Sequence, residues 1–144
     1  MRYGRIILFT KFMFIALLIL FTNCKDQEDR VPFVVVDTQL NLALPIYQDL
    51  NIVGNWIYVS GGSQGIIVYR FSTDEFRAFD RHCTFNVPDQ CRIEVDNSNI
   101  QAEDVQCCNS VFSIIDGTVQ SGDAFVGLTQ YQTSFFNNVV SITN

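Results

Sequence analysis

The pair of adjacent cysteines in the segment VQCCNSVFSIIDG, residues 105–117, constrains the fold more than any other feature of the sequence. Cys107 and Cys108 are followed by a short polar turn, Asn109 and Ser110, and then by an apolar run. Cysteines in a polar segment serve as metal ligands, as disulfide partners or as a redox pair. Each of these roles favours a different kind of protein, so the compartment in which the chain matures has to be inferred first.

The N-terminal segment MRYGRIILFTKFMFIALLILFTNC predicts export. A basic start precedes an apolar run over residues 12–21, which is shorter than the ~20 apolar residues that span a bilayer. Its ending, LFTNC, is similar to the lipobox of bacterial lipoproteins, in which the cysteine is lipidated and becomes the new N-terminus. We therefore expect a lipoprotein signal peptide over residues 1–23 and lipidation at Cys24. An ordinary cleaved signal peptide and an uncleaved anchor are the alternatives.

The residues after Cys24 indicate where the exported chain resides. The sequence KDQED resembles the Lys-plus-acidic tag that directs lipoproteins of the Bacteroidetes type to the outer surface. We expect a cell-envelope protein, an outer membrane lipoprotein exposed at the surface, with residues 24–31 as a polar tether and the lipid anchor as its contact with the membrane. Export also leaves four of the five cysteines in a compartment where disulfides persist.

Composition narrows the range of partners. The chain carries a formal net charge of −6, and only 17% of its residues are charged. Nucleic acids and anionic lipid headgroups both require clustered Lys and Arg, so we expect no nucleic-acid partner. A protein or a glycan remains possible as a partner, and the sequence names neither.

The part of the mature chain beyond the tether, residues 32–144, predicts a single β domain. Short β-branched or alternating runs recur between turn residues, and no segment of a dozen residues shows helical periodicity. The Asn137-Asn138 dipeptide predicts the turn of a final hairpin. The runs expected to form strands are FVVVD, QLNLAL, NWIYVS, GIIVYRFS, EFRAFD, RIEV, VFSIIDGTV and the two arms of GLTQYQTSFFNNVVSITN.

The order AFDRHCTF, a strand, and then VQCCNSVFSIIDGTVQSGDA resembles the Rieske iron–sulfur domain. In that family two loops each supply one Cys and one His to a [2Fe–2S] cluster. The resemblance extends to Ser110, Phe112, Gly117, Gly122 and Ala124, which hold positions of the family's second motif. It implies an all-β, Rieske-like fold of small antiparallel sheets with two cysteine-bearing loops.

The ligand positions of the resembled family are degenerate in this chain. Cys83 occupies the position of the first ligand, whereas Phe85 stands at the position of the first His. Val105 stands at the position of the second Cys, and Cys108 at that of the second His. The lone histidine, His82, lies next to Cys83 and is expected at the surface. One ligand of four is retained, so the resemblance implies a domain that has lost its cluster.

The cysteine spacing also disfavours other metal sites. The side chains of adjacent cysteines diverge, and the C-x2-C and C-x4-C spacings of zinc and ferredoxin-type sites are absent from the sequence. We therefore expect no metal and no cofactor, with an atypical [2Fe–2S] centre as the alternative.

Two disulfides account for the four cysteines. Many Rieske domains link their two loops by a disulfide, and the resemblance places Cys91 and Cys107 at its positions. Cys83 and Cys108 would then bond where the cluster would have been. The crossed pairing, Cys83 with Cys107 and Cys91 with Cys108, remains the rival arrangement.

These features favour a surface lipoprotein whose Rieske-like domain acts as a structural or interaction module stabilised by disulfides. A [2Fe–2S] or thiol-based redox protein is the alternative. A hydrolase is disfavoured, because the sequence contains no Gly-x-Ser-x-Gly elbow and a lone His leaves no evident triad. No catalytic residue is therefore predicted.

Overall fold

The computed structural model describes residues 30–104 and 107–144, and the regular secondary structure within them is mainly β-strand, with two short 3₁₀ helices. The predicted signal peptide (1–23), the predicted lipidation site Cys24, most of the predicted tether and Val105 lie outside the described residues. No helix in the described part of the chain is long and apolar enough to cross a membrane. The strands are β1 Asp37–Asn41, β2 Trp56–Val59, β3 Ile66–Arg70, β4 Phe76–Asp80, β5 Glu94–Val95, β6 Gln101–Glu103, β7 Val111–Ser113, β8 Val119–Ser121, β9 Gln130–Phe136 and β10 Val139–Thr143.

The strands form two sheets, and every strand pair is antiparallel. The larger sheet has the order β1-β10-β9-β4-β3-β2, and the smaller has the order β5-β6-β7-β8. The smaller sheet is inserted in the chain between β4 and β9, which are neighbours in the larger sheet. The predicted all-β fold of antiparallel sheets with two cysteine-bearing loops is confirmed.

The sequence of strand β3, IIVYR, is apolar at successive positions because both faces of the strand are buried. Ile66 and Val68 face one hydrophobic cluster, whereas Ile67 and Tyr69 face another. Side chains alternate between the two faces of a strand, so a strand with both faces covered needs apolar residues throughout. The first cluster covers one face of the larger sheet and includes residues of β1, β9 and β10. The second joins the larger sheet to the smaller one and includes Cys83, Cys91 and Cys108.

The hairpin between β9 and β10 turns where the sequence predicts. Asn137 and Asn138 both adopt positive φ, 48° and 65°, and Val139 pairs with Phe136 across the turn. Two central residues with positive φ define a type I′ turn, whose twist matches that of the flanking strands.

Three local features differ from the expectations. In the run FVVVD, Phe33 and Val35 are exposed and unpaired in any sheet, and β1 begins only at Asp37. Residues 45–51 form a 3₁₀ helix that begins at a proline. Between the cysteine-bearing loops, where the sequence predicts a single strand, the structure has a hairpin of β5 and β6. The polar sequence of β6, QAE, does not predict a strand because it buries only its central residue, Ala102.

Gly122 makes a close backbone contact that a larger residue could not tolerate. It has a φ of 95°, and a Cβ at this position would overlap the carbonyl oxygen of Asn109 and the Cα of Ser110. Gly54 has a similar φ of 89°, but nothing lies within 4 Å of the position its Cβ would take. Alanine substitutions at the two glycines therefore distinguish the energetic cost of backbone strain from that of steric overlap.

We expect Gly122→Ala to lower the free energy of unfolding by about 2 to 3 kcal/mol, because the substitution adds overlap with backbone to the strain. Gly54→Ala should cost about 1 kcal/mol, since it carries the strain alone. Urea unfolding of both variants measures the difference. Equal costs would show that the contact between Gly122 and Ser110 relaxes freely.

Candidate functional site

The first cysteine-bearing loop, residues 81–93 between β4 and β5, is closed at its base like a hairpin. His82 and Arg92 form an antiparallel bridge, and the Cys83 amide donates to the Cys91 carbonyl at 2.9 Å. A short 3₁₀ helix, Val87–Asp89, forms the tip of the loop. These backbone bonds bring Cys83 and Cys91 side by side at the base of the loop.

The second cysteine-bearing loop, residues 104–110 between β6 and β7, is held by Asp104 and Ser110. The Asp104 side chain accepts from the Cys107 amide at 3.1 Å, and the Asp104 carbonyl accepts from the Asn109 amide at 2.8 Å. The buried Ser110 hydroxyl donates to the Cys108 carbonyl at 2.9 Å and accepts from the Ala124 amide at 3.0 Å. Ser110 thus ties the second loop to residues 122–129, the loop before β9.

Two disulfides join the first loop to the second. Cys83 is linked to Cys108, with their Cα atoms 6.7 Å apart, and Cys91 is linked to Cys107, with their Cα atoms 5.8 Å apart. The Rieske resemblance implies the Cys91–Cys107 bridge, which leaves Cys83 to pair with Cys108, and the structure has these pairs and not the crossed ones. Adjacent cysteines project to different sides of the chain, so each reaches a different cysteine of the first loop.

The two disulfides lie in different environments. Cys83 and Cys108 are 0% and 1% exposed and belong to the core between the sheets. Cys91 is also buried, but Cys107 is exposed and borders an open pocket of about 440 Å³ that Arg92 and several carboxylates line. One bridge is therefore a core element, and the other reaches solvent.

The donor set at the ligand positions of the resembled family does not fit a [2Fe–2S] cluster. Cluster ligands are thiolates or neutral imidazoles, whereas Cys83 and Cys108 are bonded to each other in the core. Phe85 is half-buried and packs against the hydrophobic cluster between the sheets. Val105 lies outside the described residues. While the disulfide is intact, Cys83 and Cys108 therefore offer no thiolate that could bind a cluster.

A group of possible metal ligands lies beside the exposed bridge. Ligand atoms of Asp89, Cys91 and Cys107 lie within 4.8 Å of one another. Both cysteines are in a disulfide, whose sulfurs are not the thiolates that metals require. The group therefore fits no metal while this bridge is intact.

The prediction that His82 lies at the surface is wrong. The ring is 1% exposed, and both of its nitrogens are hydrogen-bonded. Nε2 lies 2.9 Å from the Val87 carbonyl oxygen, and Nδ1 lies 2.8 Å from the Ser63 hydroxyl. The histidine is buried because the first loop folds back at Arg92 and its tip covers the ring.

A buried carboxylate, Asp80, organises the surroundings of His82. It accepts from the backbone amides of Ser63 at 2.6 Å, Gln64 at 3.2 Å and His82 at 2.8 Å. It also accepts from the Tyr131 hydroxyl at 2.6 Å. Burial raises the pKa of Tyr131, and the hydrogen bond to Asp80 raises it further. Asp80 thus fixes the turn after β2 to the first loop and to β9.

The sequence pattern does not identify Ser63, Asp80 and Tyr131 as site residues. Ser63 lies in the glycine-rich turn GGSQG, and Asp80 lies two residues before His82 in DRH. The glycine-rich turn at residues 61–65 and the charged Asp-Arg-His run at residues 80–82 were usable signals. It could not show that strand pairing brings the turn over the histidine.

No protein-family model matches the sequence, and no curated protein matches it either. Among solved structures, a chain from the complex of reduced oxygenase and oxidized ferredoxin in carbazole 1,9a-dioxygenase is similar to this one. The TM-score is 0.49 and the sequence identity is 16%, over 76% of this chain and 92% of that chain.

The difference in exposure predicts that the two disulfides are reduced one after the other, the exposed one first. Thiol–disulfide exchange requires access to a sulfur, so a mild phosphine or dithiol should reduce Cys91–Cys107 in the native protein and leave Cys83–Cys108 intact. Alkylation followed by cleavage before aspartate separates Cys83 from Cys91, because Asp89 lies between them. Equal labelling of Cys83 and Cys91 at all times would contradict this order.

Proposed function

We propose that this chain is a surface lipoprotein whose Rieske-like domain has lost its iron–sulfur cluster and serves as a structural or interaction module. The observation that carries the proposal is the buried Cys83–Cys108 disulfide between the two loops. It joins two positions that the resembled family uses for cluster ligands. A covalent link there supplies the cross-link between the loops that a cluster would otherwise supply.

The surroundings of the disulfides support a structural role. Cys83, Cys91 and Cys108 pack with apolar side chains of both sheets, including Phe79 and Phe112. A bridge used for redox catalysis needs access to its partner, which the buried pair lacks. The exposed Cys107 leaves a thiol-based redox role for the second bridge as the alternative.

Metal and thiol analysis of the full chain, extracted from membranes in detergent, tests the loss of the cluster. We expect no iron, no acid-labile sulfide, no visible absorption band and no free thiols among residues 83–108. Stoichiometric iron and sulfide with a coloured protein would overturn the proposal in favour of an electron carrier. Isolation of the chain with Cys91 and Cys107 as free thiols, while Cys83 and Cys108 remain bonded, would favour the thiol-based alternative.

The proposed anchor is tested separately. Metabolic labelling with a fatty acid should mark the full chain, and Cys24→Ala should abolish the label and release the domain from the membrane. The surface location predicts that added protease removes the domain from intact cells. Retention of Cys24→Ala in the membrane would overturn the lipid anchor without affecting the proposal on the cluster.

A further inference from the structure

The hydrogen bonds of His82 fix which nitrogen carries the proton in the neutral ring. Nε2 faces the Val87 carbonyl oxygen, which only accepts, so Nε2 must carry the hydrogen. Nδ1 then has a lone pair and accepts the hydroxyl proton of Ser63 at 2.8 Å. A serine nucleophile is activated when its hydroxyl donates to one nitrogen of a histidine while a third group holds the other nitrogen.

The backbones of the serine and the histidine are held by the same carboxylate. Asp80 accepts from the Ser63 amide at 2.6 Å and from the His82 amide at 2.8 Å. The relative position of the two residues is therefore set by one buried, rigid group. Asp80 is a positioning residue in this arrangement, since it contacts the backbones of the pair and not the reacting atoms.

Ser63 is half-buried and lines an open cleft of about 400 Å³, with the buried His82 behind it. The glycines of the turn, residues 61–65, form part of the wall and permit close approach of a ligand to the backbone. A reacting group that enters the cleft therefore meets the serine before it meets the histidine.

The exposed guanidinium group of Arg92 gives the cleft its positive charge. Arg81 and Arg92 both line it. Arg81 stacks over the Tyr58 ring at 3.7 Å, donates to the Ile93 carbonyl and pairs with Glu94 at 3.5 Å, so its position is fixed and its charge is balanced. Arg92 donates to Gln64 at 3.3 Å, and a guanidinium has more N–H donors than this one bond requires. The cleft therefore favours an anionic ligand.

We propose that Ser63 and His82 form a nucleophile–base pair that hydrolyses carboxylic esters bearing an anionic group. The Ser63 oxygen attacks the ester carbonyl carbon while its proton passes to His82 Nδ1. The resulting tetrahedral oxyanion collapses, the C–O bond breaks, and the alcohol leaves with the proton from Nδ1. Water then attacks acyl-Ser63, yields the carboxylic acid and restores the hydroxyl. The Arg92 guanidinium binds the anionic group of the ester.

The test uses the full chain in detergent, with mono-p-nitrophenyl succinate as the anionic ester, p-nitrophenyl acetate as the neutral one, and a fluorophosphonate probe. We expect probe attachment on the peptide that contains Ser63. Hydrolysis of the succinyl ester should exceed that of the acetyl ester, and Arg92→Gln should raise KM for the succinyl ester more than it lowers kcat.

Three variants separate catalysis from folding. Ser63→Ala should abolish probe attachment, and His82→Gln, which keeps hydrogen-bonding groups but takes up no proton, should lower kcat by about 100-fold or more. Ser141→Ala, a half-buried serine of β10, should match the unmodified chain in both assays. Circular dichroism and unfolding curves report the fold of each variant. Absence of probe attachment and hydrolysis in the unmodified chain overturns the proposal, as does undiminished hydrolysis by Ser63→Ala.

Discussion

Replacing Cys83 and Cys108 together by alanine is expected to lower the free energy of unfolding by about 4 to 5 kcal/mol. The bridge closes a loop with a sequence separation of 25 residues, which restrains the unfolded chain by about 3.5 kcal/mol in the entropic model. Both side chains are fully buried, so their removal also loses packing in the core between the sheets. Urea unfolding of the double variant measures the loss.

The second bridge provides the matched control. Cys91→Ala with Cys107→Ala opens a loop with a separation of 16 residues and should cost about 3 kcal/mol. Because Cys107 is exposed, its removal adds little to the loss of packing. A larger cost for this pair than for Cys83 and Cys108 would contradict the assignment of the buried bridge as the core element.

Loss of both bridges should leave too little stability for a folded domain. The two costs together are about 7 to 8 kcal/mol, which is comparable to the total stability of a typical domain. The fully reduced, alkylated chain is therefore expected to be unfolded at 37 °C by near-ultraviolet circular dichroism. A native spectrum after complete alkylation of the four cysteines would show that packing alone maintains the fold.

The sequence alone predicts the strands because alternation and turn residues are local signals. The runs NWIYVS, GIIVYRFS and EFRAFD give β2, β3 and β4, and the Asn137-Asn138 turn gives the last hairpin. The short strand β6 escapes prediction because only one of its residues, Ala102, is buried. A strand with one buried residue carries no periodic pattern.

The candidate site is less predictable, because its residues come together only through tertiary pairing. The disulfide positions follow from the resemblance to a two-loop domain. The contact between Ser63 and His82 depends on the turn after β2 lying over the base of the first loop, 19 residues further along the chain. The sequence gives a lone histidine no evident partner residues, whereas the fold brings it partners from three segments of the chain.

The carboxylate of Asp80 is the other group whose loss should be severe. It is fully buried and accepts four hydrogen bonds, from the amides of Ser63, Gln64 and His82 and from the Tyr131 hydroxyl. Its removal leaves these donors buried without their acceptor, and unpaired buried donors cost about 1 to 3 kcal/mol each when water cannot reach them. Solvent can reach the half-buried turn at Ser63 and Gln64 more readily than the amide of His82 or the Tyr131 hydroxyl.

We therefore expect Asp80→Ala to lower the free energy of unfolding by about 3 to 5 kcal/mol. Tyr131→Phe removes one of the four donors and leaves Asp80 its three amide partners, so it should lower the free energy of unfolding by only about 1 to 2 kcal/mol. Asp74→Ala, in the exposed turn before β4, should cost less than about 1 kcal/mol, because its partners there are exposed to water. Urea unfolding of the three variants, with the Asp80→Ala, Tyr131→Phe double variant to measure the coupling, tests this order. If Asp80→Ala cost no more than Asp74→Ala, the carboxylate would not be what fixes the glycine-rich turn to the first loop, and the geometry of Ser63 and His82 would need another support.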